Sequence, residues 1–187
     1  MRNRAVLIDR DGTINEDVGH TFQFDSFRLI PGALEALQLL TEKNISIFIV
    51  TNQGGIAKGL YTEENFLTLT RQMLYDFGAK KIRITDVLYC PHHSDGSVEK
   101  YKKVCDCRKP ANGLIQRVID RFHFHPEDMA FIGDKNSDIE AGLSLKLLTY
   151  LVLTGYGSES QKNTRADFVV KDLKAAVDHL LQRWSLA

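Results

Sequence analysis

The chain carries the stretch AVLIDRDGT at residues 5–13, in which four apolar residues lead into two aspartates and a glycine. A short apolar run closed by polar residues predicts a buried β-strand, which places Asp9 and Asp11 at its carboxyl end. Open α/β folds bind their ligands at that end of the strands. A turn at Gly12 would let both carboxylates face one site, where their repulsion calls for a cation, a shared proton or a lysine. The alternative is a strand that ends in a solvated acidic turn.

Length, composition and charge are those of an ordinary globular protein. The 187 residues suggest one domain over residues 1–187, with 43% apolar and 26% charged residues. Because 24 basic residues balance 24 acidic ones, no net charge favours nucleic acid or an anionic membrane. No apolar run approaches the ~18 residues of a membrane span, and the first apolar run is too short for a signal peptide. We therefore expect a cytoplasmic protein, and a monomer because no apolar helix face stands out.

Apolar runs with strand character alternate with helical patterns along the rest of the chain. Beyond residues 5–8, strands are predicted at residues 45–50, 87–89, 129–132 and 147–152. Helices are predicted to begin after Gly32, after a cap at Thr62 with Gly78 as the stop, after a cap at Asn112, and at Asp172. This alternation predicts an α/β fold, a doubly wound, Rossmann-like parallel sheet with helices on both faces.

Polar side chains follow several of the predicted strands, and in a parallel sheet such positions meet at one edge. They are Asp9, Asp11, Thr51, Asn52, Gln53, Asp134 and Lys135, with Arg108 and Lys109 further beyond the third strand. Carboxylates suit a hard divalent cation, magnesium above all. Thr51 and Lys109 can hold phosphate oxygens. Asp9 would then attack phosphorus as a nucleophile, and Asp11 would serve as general acid and base.

Four motifs in this chain resemble, in order, those of the haloacid dehalogenase superfamily. They are residues 9–13 (DRDGT), Thr51-Asn52, Lys109, and Gly133-Asp134 with Asp138. The resemblance implies a phosphatase that forms an aspartyl-phosphate on Asp9. It implies magnesium on the Asp9 side chain, the Asp11 backbone carbonyl and the Asp134 side chain. Lys135 and Asp138 would belong to the surrounding shell. Other members add a large cap domain, but the spacing of these motifs leaves no room for one, so a capless enzyme is expected.

A zinc loop is predicted over about residues 90–110, where all three cysteines of the chain lie. The predicted ligands are Cys90, His92, Cys105 and Cys107. Three thiolates and one imidazole suit structural, tetrahedral zinc. His93 is an alternative to His92, and three buried thiols that bind no metal are the alternative to a zinc site. Because Arg108 and Lys109 follow directly, bound zinc would fix the loop that aims both cations at the substrate.

This loop and the residues after the second strand resemble one family within the superfamily, the phosphatases of D-glycero-D-manno-heptose 1,7-bisphosphate. The resemblance implies magnesium-dependent hydrolysis of the 7-phosphate of this small sugar phosphate. It implies that Arg108 and residues 53–56 contact the sugar or its remaining phosphate, although His20 stands where a tyrosine is common. Phosphatases of histidinol phosphate share the zinc ligands and are the alternative. A zinc-stabilised binding protein whose acidic site only holds a cation is the third hypothesis.

Overall fold

The computed structural model describes residues 3–186, so the predicted domain limits at Met1 and Ala187 lie outside the described residues. Within that range the chain forms one six-stranded sheet. The strands are β1 (Ala5–Ile8), β2 (Ser46–Asn52), β3 (Asp86–Cys90), β4 (Met129–Gly133), β5 (Leu148–Val152) and β6 (Phe168–Val170). They pair in parallel throughout, in the order β3-β2-β1-β4-β5-β6. The predicted doubly wound parallel sheet is confirmed.

Helices cover both faces of this sheet. The α-helices are α1 (Ala33–Glu42), α2 (Gly54–Ala57), α3 (Glu63–Ala79), α4 (Gly113–Phe122), α5 (Asn136–Ser144), α6 (Gly157–Ser160) and α7 (Leu173–Arg183). Short 3-10 helices occupy Phe24–Ser26, Glu99–Tyr101, Pro126–Asp128 and Gln161–Asn163. Apolar side chains of α1, α3 and α7 pack on one face, and those of α4 and α5 pack on the other. The described residues between β1 and β4 form no separate cap.

Strand β1 lies inside the sheet because it is apolar on both faces. Val6 and Ile8 belong to the core that contains α1 and α7, whereas Ala5 and Leu7 belong to the core that contains α4. All four side chains are completely buried. A strand covered on both faces requires a continuous apolar run, which is why residues 5–8 decide the fold.

The strand order reverses between β1 and β4, and this reversal determines where a ligand can bind. The chain passes from β1 to β2 on one side and from β4 to β5 on the other. In α/β sheets a crevice opens at the carboxyl ends of such a pair. Asp9 follows β1 directly, and its backbone N–H donates to the Ile132 carbonyl of β4 at 2.9 Å. Asp134 follows β4 directly, so the two aspartates meet at this crevice.

Two helix ends differ from the prediction. Gly78 was expected to stop α3, but it lies inside the helix, and the left-handed residue that follows is Lys81, with φ of 61°. Asn112 occupies the N-cap position of α4 without capping it. Its side chain donates instead to Ser144 Oγ at 2.9 Å, which ties the start of α4 to the end of α5.

Among the strands and α-helices, four elements were not predicted, namely α2, α5, α6 and β6. Two of them are single-turn helices of four residues, and β6 has only three residues at the edge of the sheet. Helix α5 contains just two long apolar side chains, Ile139 and Leu143, which is too few for a clear helical stripe. None of the helices within residues 3–186 has the length and apolar character needed to cross a membrane.

Candidate active site

Three carboxylates converge at the carboxyl ends of β1 and β4. They belong to Asp9, Asp134 and Asp138, and one oxygen of each lies within 4.8 Å of the others. All three residues are buried. The backbone can approach this cluster only because two residues beside it lack a Cβ. A Cβ at Gly12 or at Gly155 would lie 2.2 Å from Asp134 Oδ2, and both glycines have a positive φ.

Asp134 is incompletely partnered within the described residues. Its Oδ2 accepts the Tyr156 N–H at 2.8 Å, but its Oδ1 is buried and has no hydrogen-bond partner. Burial and the charges of Asp9 and Asp138 raise the pKa of Asp134 to about 8. A divalent cation held by oxygen atoms would offset this repulsion and partner the unbonded oxygen. The side chains present therefore fit magnesium.

Lys109 is the counter-ion of the carboxylate cluster. Its Nζ lies 2.7 Å from each of three oxygens, Asp9 Oδ1, Asp138 Oδ1 and the Val50 carbonyl. Burial opposes its charge, but Asp138 and Asp9 outweigh burial and hold the pKa of Lys109 above its ordinary value. Burial raises the pKa of Asp9 to about 6 although Lys109 lowers it. The Lys109 ammonium thus favours the ionised form of Asp9 that a nucleophile needs.

Asn52 holds Lys109 in place through paired hydrogen bonds. Its Nδ2 donates to the Lys109 carbonyl at 3.0 Å, and its Oδ1 accepts the Lys109 backbone N–H at 3.1 Å. Both polar ends of this side chain are thus used within the protein. The predicted contact between Asn52 and the substrate stays a prediction.

Asp11 is surrounded by hydrogen-bond donors. Arg10 donates to Oδ1 through Nε at 3.1 Å and to Oδ2 through Nη2 at 2.8 Å. Asn15 Nδ2 donates to Oδ1 and Gln53 Nε2 donates to Oδ2, each at 3.0 Å. Burial raises the pKa of Asp11, but the charge of Arg10 and these hydrogen bonds outweigh it and hold the pKa below its ordinary value. Asp11 is therefore ionised in this arrangement and can accept a proton.

Thr51 and Gln53 form the wall beside Asp11. Both are nearly completely buried, with exposed fractions of 1% and 2%. Gln53 Nε2 donates to Thr51 Oγ1 at 2.8 Å, and Gln53 Oε1 accepts the Tyr61 hydroxyl at 2.6 Å. Gln53, predicted to contact substrate, thus has its amide paired within the protein. Thr51 keeps its own hydroxyl proton to donate. Tyr61 was not predicted, because its place depends on the turn that follows α2.

Lys135 and Asp138 connect the cluster to the start of α5. The Lys135 backbone N–H donates to Asp138 Oδ2 at 3.0 Å, and Lys135 Nζ lies 3.1 Å from Asp17 Oδ2. Asp138 therefore contacts Lys109 with one oxygen and the helix N-terminus with the other. Acidic side chains are favourable at that position of a helix.

Four zinc-type ligands converge beside the crevice. They are Cys90, His92, Cys105 and Cys107, and their sulfur and nitrogen atoms all lie within 4.8 Å of one another. The three Sγ–Sγ distances run from 3.2 to 3.5 Å, and His92 Nδ1 lies 3.2 Å from Cys107 Sγ. No disulfide joins the thiols. Three sulfurs and one nitrogen at such spacing fit a single tetrahedral zinc ion with no open coordination position.

The crevice opens into a cavity of about 150 Å³ that has cationic side chains on its wall. They include Lys58 and Arg108, and the His93 imidazole also lines the cavity. Arg108 Nη1 donates to the His92 carbonyl at 3.1 Å, so the zinc segment, residues 90–110, orients this guanidinium. His93, weighed above as a zinc ligand, lies outside the ligand cluster, and its Nδ1 accepts the Asp95 N–H at 3.1 Å. The sequence did not predict that Lys58 and His93 line the cavity. The stretch GGIAKG at residues 54–59 could have indicated Lys58.

Comparison with known proteins places this site in a family. A family model described as HAD-hydrolase-like matches residues 106–176. A D-glycero-β-D-manno-heptose-1,7-bisphosphate 7-phosphatase of Haemophilus influenzae is 37% identical over 172 residues, which cover 91% of this chain and 93% of that protein. The enzyme of the same name from Escherichia coli K12 is 38% identical over 170 residues, 90% of this chain and 89% of that protein. This chain belongs to the heptose-1,7-bisphosphate phosphatase family.

Solved structures of this phosphatase family share the fold over nearly the whole chain. The D,D-heptose 1,7-bisphosphate phosphatase of B. bronchiseptica, complexed with magnesium and phosphate, has a TM-score of 0.86 and 26% identity. The alignment covers 96% of this chain and 99% of that one. The corresponding enzyme of Burkholderia thailandensis has a TM-score of 0.71 at 26% identity, with 96% and 99% covered. The predicted resemblance to haloacid dehalogenase phosphatases is confirmed.

Proposed function

We propose that this phosphatase removes the 7-phosphate of D-glycero-β-D-manno-heptose 1,7-bisphosphate. The observation that carries the proposal is the meeting of Asp9, Asp134 and Lys109 at one buried crevice, since these groups suit phosphoryl transfer. The names of the relatives, which match 90–91% of this chain, support the substrate and its β-anomer.

In the first step, a carboxylate oxygen of Asp9 attacks the phosphorus of the 7-phosphate. An Asp9 O–P bond forms while the bond between phosphorus and the C7 oxygen breaks. Lys109 lies 2.7 Å from Asp9 and offsets negative charge as the transferring group approaches. The Thr51 hydroxyl donates to a phosphoryl oxygen, which helps to hold the group in line with Asp9.

Asp11 moves the protons in both steps. The approach of an anionic phosphoryl group favours protonation of Asp11, because a nearby like charge raises the pKa of a carboxyl group. Asp11 then gives this proton to the departing C7 alkoxide. In the second step Asp11 takes a proton from water as the water oxygen attacks phosphorus, which releases phosphate and restores Asp9.

Two metal ions complete the proposed enzyme. Asp9, Asp134 and the backbone carbonyl of Asp11 would hold magnesium, with Lys135 and Asp138 beside them. Magnesium, when bound, neutralises charge on the transferring phosphoryl group. Zinc would be held by the four ligands Cys90, His92, Cys105 and Cys107, and its role would be to fix the segment that carries Arg108 and Lys109.

Substrate selection is assigned to the cationic wall of the cavity. Arg108, Lys58 and His93 lie where the sugar or its remaining phosphate would extend from the crevice. Guanidinium groups suit phosphate because they can donate two parallel hydrogen bonds. Asn52 would act by holding Lys109 in place, and Gln53 would act by holding Asp11. We propose further that the enzyme acts as a cytoplasmic monomer on this small molecule, without nucleic acid or membrane as a partner.

The test is phosphate release from both anomers of heptose 1,7-bisphosphate, with histidinol phosphate and other sugar phosphates beside them. We expect magnesium-dependent turnover with the highest kcat/KM for the β-anomer of the bisphosphate. Preference for histidinol phosphate would assign the chain to the alternative substrate and leave the aspartyl-phosphatase chemistry in place. Absence of metal-dependent phosphatase activity on all of these substrates would reject the proposed function.

A further inference from the structure

Gln53 receives a hydrogen bond that determines which way its amide group points. Its Nε2 donates to Asp11 Oδ2 and to Thr51 Oγ1, so both amide protons are used. Asp11 Oδ2 therefore faces the nitrogen end of the amide, which can only donate. The oxygen end faces Tyr61, whose hydroxyl donates to it at 2.6 Å. Tyr61 thus donates a hydrogen bond to Gln53, and Gln53 in turn donates one to Asp11.

Tyr61 is itself held firmly in this place. It is 7% exposed, and its ring stacks on Phe22 with a centroid distance of 5.3 Å and an interplanar angle of 10°. On another side the ring lies against Gly55, where a Cβ would come within 2.2 Å of Tyr61 Cε1. Burial raises the pKa of Tyr61 to about 12, so its hydroxyl keeps the proton that it donates.

We propose that Tyr61 is a positioning residue for proton transfer, acting through Gln53 on Asp11 without touching the substrate. The inference rests on the proposed function, because it assigns Tyr61 a task in that reaction. Without the Tyr61 hydroxyl, Gln53 Oε1 would be a buried acceptor with no donor, and the amide would turn or shift to find one. Asp11 Oδ2 would then lose the Gln53 contact and its fixed direction.

The expected loss is partial, because other donors also hold Asp11. Arg10 reaches both carboxylate oxygens, and Asn15 reaches Oδ1. Gln53 is the contact that joins Asp11 to β2 and to Thr51, which is proposed to hold the phosphoryl group. Loss of this contact would spoil the alignment between the acid and the leaving oxygen while leaving Asp11 in the site.

The experiment compares two substrates in the Tyr61→Phe variant, which keeps the ring and removes only the hydroxyl. From the heptose bisphosphate, the C7 oxygen of heptose 1-phosphate leaves as an alkoxide that needs a proton, whereas the nitrophenolate of p-nitrophenyl phosphate departs without one. We expect kcat/KM for the bisphosphate to fall roughly tenfold. For p-nitrophenyl phosphate we expect a fall of less than about twofold, because the first step then needs no acid. The matched control is Tyr150→Phe, which removes a buried hydroxyl bonded to His179 away from the crevice.

A double-mutant cycle provides the second measurement. In a Gln53→Ala background, Tyr61→Phe should cause no further loss with the bisphosphate, because the link to Asp11 is already broken. Additive losses, equal losses on both substrates, or wild-type kinetics of Tyr61→Phe would each overturn the inference. An inactive wild-type enzyme would reject the proposed function instead, so the two failures are distinguishable.

Discussion

Among the three clustered carboxylates, Asp134 is the one that a bound cation would stabilise most. It is completely buried, faces two further carboxylates and has one oxygen without a hydrogen-bond partner among the described residues. Lys109 reaches Asp9 and Asp138, whereas Asp134 accepts, within residues 3–186, only the Tyr156 N–H. The free energy of magnesium binding should therefore appear as stability of the folded state.

Magnesium should raise the Tm of the wild-type protein and should not raise that of Asp134→Asn. At a concentration ~100-fold above Kd, binding adds about 2.7 kcal/mol, which corresponds to a Tm shift of roughly 5–10 °C for a chain of this size. Without added magnesium the variant should be at least as stable as the wild type, because a repelled carboxylate is gone. Thermal unfolding with and without magnesium measures both effects.

As a control, Asp86→Asn alters a carboxylate paired with Arg121 away from the crevice and should keep the shift. An equal shift in Asp134→Asn would contradict the assignment.

The identity of the polar residues at the strand ends could be predicted, but not the direction of their amides. The sequence places Asn52 and Gln53 after β2, where a substrate contact is a natural expectation. Their partners come from distant parts of the chain, Lys109 for one and Tyr61 for the other. A planar amide can face either way, so only the assembled surroundings determine which group it serves.

The zinc segment links the end of β3 to the start of α4. Cys90 closes β3, and the Gly113 N–H at the start of α4 donates to the Asp106 carbonyl at 2.9 Å. Between them only one 3-10 turn, Glu99–Tyr101, has regular structure. A metal ion would therefore do much to hold this segment in one conformation. The segment carries Arg108 and Lys109, the cationic side chains proposed to act on the substrate.

Removal of two zinc ligands should lower stability and catalysis together. We expect the Cys105→Ser, Cys107→Ser double variant to lose at least about 3 kcal/mol of unfolding free energy, since structural zinc contributes directly to folding. Its kcat/KM for the bisphosphate should also fall, because Arg108 is held by the His92 carbonyl. Denaturant unfolding and steady-state kinetics check this, with zinc content measured alongside. An unchanged free energy of unfolding together with unchanged kinetics would show that the segment has no structural metal.

Glu63 joins the first turn of α3 to the zinc segment. It accepts the Tyr101 hydroxyl at 2.6 Å and the Tyr89 hydroxyl at 2.8 Å, and Lys100 Nζ lies 3.7 Å away. The hydrogen bond from Tyr101 is the main cause that holds the pKa of Glu63 below its ordinary value. A carboxylate with a lowered pKa stabilises the fold above the unfolded pKa and loses that effect as pH falls.

Glu63→Gln should therefore destabilise the protein at neutral pH and less in acid. We expect a loss of about 1 kcal/mol at pH 7 that shrinks as pH falls through the lowered pKa of Glu63, because wild-type Glu63 then becomes protonated as well. Urea unfolding of both proteins across this range gives the difference at each pH. The neighbouring Glu64→Gln should change little, because its partner Arg71 is exposed. A difference that does not depend on pH would contradict the role of the Glu63 charge.

At the scale of the whole molecule, the sheet was predictable because its inner strands are covered on both faces. Continuous apolar runs such as residues 5–8 and 129–132 are typical of strands buried on both faces of a parallel sheet. The edge strand β6 escaped prediction because three residues, of which Val169 is 42% exposed, give no comparable run. The site followed from the sheet, since strand ends at a reversal of strand order must meet.

The measurement that tests the central claim most directly is chemical trapping of the phosphoryl group on Asp9. The enzyme is mixed with heptose bisphosphate and magnesium, quenched during turnover, reduced with borohydride and digested for peptide mapping. The account predicts that reduction of an acyl phosphate leaves homoserine at position 9 in the peptide that covers residues 5–13. In the Asp9→Asn variant this product should be absent, and kcat should fall by at least about a thousandfold. A phosphoryl group on any other residue, or wild-type turnover by Asp9→Asn, would contradict the account.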